Sequence, residues 1–148
     1  YIEDIYDLRA ISRIRQNKYQ EAITDYNRAI KLNPSNRNYW YNRAACRMNG
    51  KDYAGAHHDI DTIVSRWADY ANAYTLNAEV YLHEKDTLKA AEWLEKLYHY
   101  YPSSLNYYAK QIHASPYFKN LYPDLYRACE AYQKLKPRTE SCPRPEAQ

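Results

Sequence analysis

Residues of one kind return every 34 positions along this chain. Tyr6, Trp40, Tyr74 and Tyr108 form one such column, Ala10, Ala44 and Ala78 a second, and Ala22, Ala56 and Ala90 a third. Further columns keep the same register: Tyr19 and Tyr53 with Thr87; Tyr26, Ile60 and Leu94; Ala29, Ile63 and Leu97; Pro34 and Pro102 with Ala68 between them. Several independent columns in one register mean a single supersecondary unit used repeatedly. Each copy is too small to bury its own apolar face and must stack on the next. The units begin near Glu3, Arg37, Ala71 and Leu105.

Within a unit the apolar spacing is helical and resets at a short polar link: Gln16-Asn17-Lys18, Gly50-Lys51-Asp52 and Glu84-Lys85-Asp86. The spacing predicts helices over 3–16, 20–32, 37–49, 53–66, 71–84 and 87–100, paired as hairpins, with Asp52 and Asp86 as N-caps. Alanine columns let paired helices approach closely, and an aromatic from the first helix fills the space beside the second. Two glycines and seven prolines in 148 residues leave little material for turns, as an all-helical chain requires. No apolar run approaches the ~20 residues of a membrane span, so membrane insertion is not expected. The 21 basic and 18 acidic residues are interspersed and make no phosphate-tracking stripe, which argues against nucleic acid as partner. Cys46, Cys129 and Cys142 lack metal-ligand spacing and read as free thiols, Cys46 as a small buried side chain. The chain begins at Tyr1 without a methionine, and neither a compartment nor an oligomeric state is written in it.

The order aromatic, small, small, aromatic or aliphatic, small, proline at this period resembles the tetratricopeptide repeat (TPR) family. Three units match, at about 3–36, 37–70 and 71–104. Arg13 and Arg47 depart from it, standing where the family usually has an aromatic that only Tyr81 supplies, and Arg66-Trp67-Ala68 replaces one proline-bearing turn. After Leu105 the pattern restarts, but Pro116 and Pro123 interrupt it. That leaves a degenerate fourth unit and an amphipathic capping helix from Asp124 to Leu135. Residues 1–136 thus read as one TPR domain and 137–148 as a flexible tail. The resemblance implies an all-α, right-handed superhelix of antiparallel hairpins, without cofactor or catalytic role, that binds a protein or extended peptide in a concave groove.

In this family the first helix of each repeat lines the groove. By position, that implies Asp4, Asp7, Leu8, Ile11 and Arg15 from the first unit and Asn38, Tyr41, Asn42, Ala45 and Asn49 from the second. The third would add Asn72, Thr75, Leu76, Glu79 and His83, and the broken fourth Asn106, Lys110 and His113. Asparagine amides present donor and acceptor together and suit an extended peptide; Asn38, Asn72 and Asn106 read equally well as helix N-caps. A family subset grips acidic chaperone tails with lysine, asparagine and arginine. Only Asn42 matches it, because Asp7, Ile11, Asn72 and Leu76 supply no positive charge.

Two histidine clusters invite a metal or acid–base reading. His57 and His58, followed by Asp59 and Asp61, point about 100° apart on a helix and read as a solvated face. Glu79 and His83 share a face and make the better, still subordinate, candidate. Nineteen tyrosines stand against one phenylalanine. The columns explain Tyr6, Tyr26, Tyr53, Tyr74 and Tyr108, while others gather from Tyr98 to Tyr126. Tyrosine suits half-buried surfaces, which sustains an alternative reading: a carbohydrate or small-ligand module with tyrosine platforms.

Overall fold

The computed structural model describes residues 1–100 and the isolated helical positions Asn120, Pro123, Arg127 and Glu130. Apart from those four positions, the fourth unit and the tail, with Asn106, Lys110 and His113, lie outside the described residues, as do the tyrosines from Tyr101 onward. Within residues 1–100 six helices follow one another: α1 (Ile2–Arg15), α2 (Tyr19–Leu32), α3 (Arg37–Asn49), α4 (Tyr53–Arg66), α5 (Ala71–His83) and α6 (Thr87–Tyr100). No strand occurs among the described residues. The chain divides into two compact units, the first Tyr1–Trp67 and the second beginning at Ala68. In the first, α1 pairs with α2, α3 with α4, and α3 lies against α2; in the second, α5 pairs with α6.

The three hairpins turn by one device. Asn17, Lys51 and Lys85 adopt left-handed backbone angles, with φ of 59°, 65° and 63°. Each places its own N–H on the carbonyl three residues back, and the next N–H on the carbonyl five residues back: Lys18 to Arg13, Asp52 to Arg47 and Asp86 to Tyr81. This double closure satisfies the orphan carbonyls of a helix end. Gly50 precedes the left-handed position rather than filling it; a Cβ there would sit 3.3 Å from the Cys46 carbonyl and 3.6 Å from the Tyr19 Cβ.

Helix starts are capped unevenly. The Asp52 carboxylate accepts from the Gly55 N–H at 3.0 Å and the Asp86 carboxylate from the Lys89 N–H at 3.1 Å, as the two aspartates predicted. A Cβ on Gly55 would collide with the Asp52 carboxylate, so a side chain there would displace the cap. The α3 cap is Asn36, which accepts from the Asn38 N–H at 3.1 Å. Asn38 and Asn72 are therefore not caps; Tyr70 holds that place for α5.

The 34-residue columns are the core. Ala10, Ala22 and Ala29 are fully buried and let α1 and α2 close on one another, with Ile23, Tyr26, Ile30, Tyr39 and Cys46 in the same cluster and Tyr6, Ile14 and Trp40 packed against it. Ala56, Ile60 and Ile63 repeat the arrangement in α4, and Ala90, Leu94 and Leu97 in α6. Each fully buried aliphatic contributes about 1.5–3 kcal/mol relative to exposure, so truncating Ile60 to alanine attacks the second hairpin directly. Cys46 is 1% exposed, and burial pushes its thiol up to about 12, which removes it as a nucleophile.

Candidate functional site

The arginines that departed from the family pattern have partners the linear reading did not find. Asp25 is fully buried in α2. Its carboxylate accepts from Arg9 at 3.0 and 2.6 Å and from Arg13 at 2.7 Å, both on α1. One repeat later, buried Asp59 accepts from Arg43 at 2.9 and 2.6 Å and lies 2.8 Å from Arg47. Burial pushes the Asp25 carboxyl up, but the hydrogen bond from Arg9 and the charges of Arg13 and Arg9 outweigh it and hold the group below the ordinary carboxylate value. The third repeat changes all three members at once, to Asn77, Tyr81 and Trp93. There Trp93 stands 5.7 Å from the Tyr74 ring, with Lys96 over Trp93 and Lys89 over Tyr81. These sets tie the first helix of a hairpin to the second and free its opposite face for other contacts. Asp59 thus leaves the solvated histidine face on which it was expected; His58 and Asp61 remain exposed.

On the first unit, acidic residues of α1 meet polar side chains of α2 and α3. The Tyr39 hydroxyl of α3 donates to Asp4 of α1 at 3.2 Å. Burial pushes the Tyr39 hydroxyl up in pKa, and the negative charges of Asp4 and Asp7 push it further. Tyr26, fully buried in α2, is raised as well, first by burial and then by Asp7, with Asn42 opposing the shift. Asp7, Tyr26 and Asn42 therefore converge from three successive helices. Asp7 Oδ1 and Tyr26 Oη are shielded from solvent, and the Tyr26 hydroxyl lies within reach of Asp7 and Asn42. Ile11, Tyr41 and Asn42 are half-buried, whereas Asn38 and Asn49 are exposed at opposite ends of α3, about 16 Å apart at 1.5 Å per residue. Ile5 and Leu8 add exposed apolar area on α1, at 64% and 68%.

The α5 residues of the second unit are less uniform. Asn72 and His83 are exposed and Glu79 is half-buried, its carboxyl raised by desolvation. Leu76, carried over as a wall residue, is 3% exposed and belongs to the core. No group of three or more histidine, cysteine, aspartate or glutamate side chains placed to hold a metal occurs among the described residues. No described helix is long and apolar enough to cross a membrane.

The signal for the buried carboxylates was present in the repeat register. Arg9 and Arg43, Arg13 and Arg47, and Asp25 and Asp59 are all 34 apart, and they are replaced together in the third unit. An aspartate inside an apolar stripe that recurs with two arginines is a paired interior charge.

A comparison with curated proteins gave no match. Two family models match consecutive segments, one described as a TPR repeat over residues 12–48 and one as a tetratricopeptide repeat over residues 48–104. TPR repeats are generally non-catalytic and mediate protein–protein interactions. With hairpins in 34-residue register, alanine columns at the helix contacts and both models falling on them, the chain belongs to the tetratricopeptide repeat family.

Proposed function

We propose that this protein is a non-catalytic scaffold, a module of a larger protein or complex, that holds a protein segment or extended peptide against the wall formed by its first-of-pair helices. One observation carries the reading: Asp7, Ile11, Tyr41 and Asn42 stay half-buried on α1 and α3 of the first unit, beside exposed Asn38 and Asn49. Side chains of that kind give a peptide apolar area together with donors and acceptors for its backbone. Asn72, Glu79 and His83 on α5, and Asn106 and Lys110 beyond it, are assigned the same role by position. The partner is protein rather than nucleic acid, since acidic and basic residues are interspersed throughout.

The test is selection from a displayed peptide library, followed by binding to Tyr41→Ala and Asn42→Ala variants. Each substitution is expected to weaken capture about tenfold or more, the range of an interface anchor. Unchanged capture by both sends the reading back to another surface.

A further inference from the structure

Ile2, Ile5 and Leu8 follow one another at three-residue spacing on α1 and are 65%, 64% and 68% exposed. They make one joined apolar face, which single scattered surface residues do not. The repeat register shows how that face is used elsewhere in the chain. In α3 the Ile5 position is Tyr39 and the Ser12 position is Cys46, 3% and 1% exposed. Both pack in one cluster with Ile23, Tyr26 and Ile30 of α2, the helix that lies against α3. Between them Asn42, at the Leu8 position, is half-buried and within reach of the Tyr26 hydroxyl. In α5 the same three positions are Ala73, Leu76 and Val80, at 0%, 3% and 0%. One face of the first-of-pair helix is therefore core in two units and exposed in the first. The aliphatic residues at positions 5 and 8 suit the buried use of these columns, not the exposed one.

We propose that this face of α1 seats an amphipathic helix of the α2 kind, the second helix of a further tetratricopeptide hairpin stacked on the first hairpin as the first is on the second. The α2–α3 interface is the template: the occupant carries aliphatic or aromatic side chains at the spacing of Ile23, Tyr26 and Ile30 and covers Ile5 and Leu8. The inference is separate from the groove reading, and the failure of either leaves the other standing.

The experiment is a tandem duplication of residues 3–36 in the whole chain, which sets a copy of α2 before α1 at the chain separation that α2 and α3 keep. Thermal unfolding followed by circular dichroism should show Tm raised by roughly 5 °C or more, the gain of one added repeat and its interface. Ile5→Asn should shift Tm by under about 2 °C in the unaltered chain, where that side chain is exposed. In the downstream copy of the duplicated chain it should lower Tm by roughly 5 °C or more, because an unpaired amide is then buried. A second fusion, with residues 37–70 placed ahead of Glu3, sets α4 in the same seat and is read by the same substitution. Sedimentation equilibrium of the unaltered chain should show a monomer. An Ile5→Asn cost that is equal in fused and unaltered chains, or two fusions that both fail to fold, overturns the inference. So does a dimer of the unaltered chain that Ile5→Asn dissociates, since the occupant is then a second copy.

Discussion

Removal of the Asp59 carboxylate isolates what the second arginine–aspartate set contributes. Asp59 is fully buried and receives three short contacts from Arg43 and Arg47, whose side chains are 12% and 20% exposed. Asp59→Ala leaves two guanidiniums facing one another without their buried anion. Arg43 keeps Asn27 at 2.8 Å and the Trp40 ring at 4.9 Å, while Arg47 keeps only the Gly55 carbonyl at 3.3 Å and a distant Asp52. Breaking a buried pair from one side costs about 3–5 kcal/mol; partial solvent access to the arginines puts this case near the lower end, about 3 kcal/mol. For a chain of this size that is a fall of roughly 10 °C in Tm. The third repeat supplies the complementary experiment. Arg43→Asn, Arg47→Tyr and Asp59→Trp made together install the Asn77, Tyr81 and Trp93 set, and should return stability to within about 1 kcal/mol of the parent, because replacing a whole buried ion set is far cheaper than orphaning part of it. Urea denaturation followed by circular dichroism measures both. A single variant within 1 kcal/mol of the parent, or a triple variant as unstable as the single, would refute the claim that these residues act as one set.

Other outcomes follow from the same geometry. Because Asp25 is held below the ordinary carboxylate value of 3.8, its stabilisation is complete above that value and is lost as pH falls through the lower, folded-state one. Acid titration of helicity should therefore show a loss below about pH 4 that Asp25→Asn, already destabilised, does not share. Glu79 has the opposite sign: desolvation raises its pKa, so its ionisation opposes folding as pH rises, and Glu79→Gln should raise Tm at pH 7 and flatten the slope of stability against pH above 4.5. Lys51 sits at φ 65°, so Lys51→Gly should be neutral or stabilising by up to about 1 kcal/mol and Lys51→Val destabilising by a similar amount, read from urea midpoints. Asn36→Ala, which deletes the α3 cap, should cost about 1 kcal/mol, whereas Asn38→Ala should cost little.

Helix positions were legible because backbone periodicity and side-chain burial share one cause. The six helices end within one residue of the ranges the spacing predicted, and the alanine columns are the buried contacts. What the linear reading missed were properties of pairs. Asp25 and Asp59 look like polar interruptions of an apolar stripe until Arg9, Arg13, Arg43 and Arg47 are seen to arrive from the neighbouring helix. Asn38 looks like a cap because it stands at a helix start; the chain actually enters α3 two residues earlier, through Asn33-Pro34-Ser35-Asn36, with the Trp40 indole donating to the Pro34 carbonyl at 3.1 Å. The left-handed angle at Lys51, one residue after Gly50, leaves no mark in the apolar spacing. The positions of Asp7 and Asn42 within the repeat were readable. Their convergence on the Tyr26 hydroxyl was not, since Tyr26 was accounted for by packing alone.

The measurement that reaches the central claim most directly is a nitrogen–proton correlation spectrum of the labelled chain, titrated with the strongest selected peptide. A segment held against the first-of-pair helices should move the amide signals of Asp7, Ile11, Tyr41 and Asn42 and leave those of His58 and Asp61 on α4 in place. Shifts confined to α4, or spread without regard to the α1 and α3 wall, would contradict it.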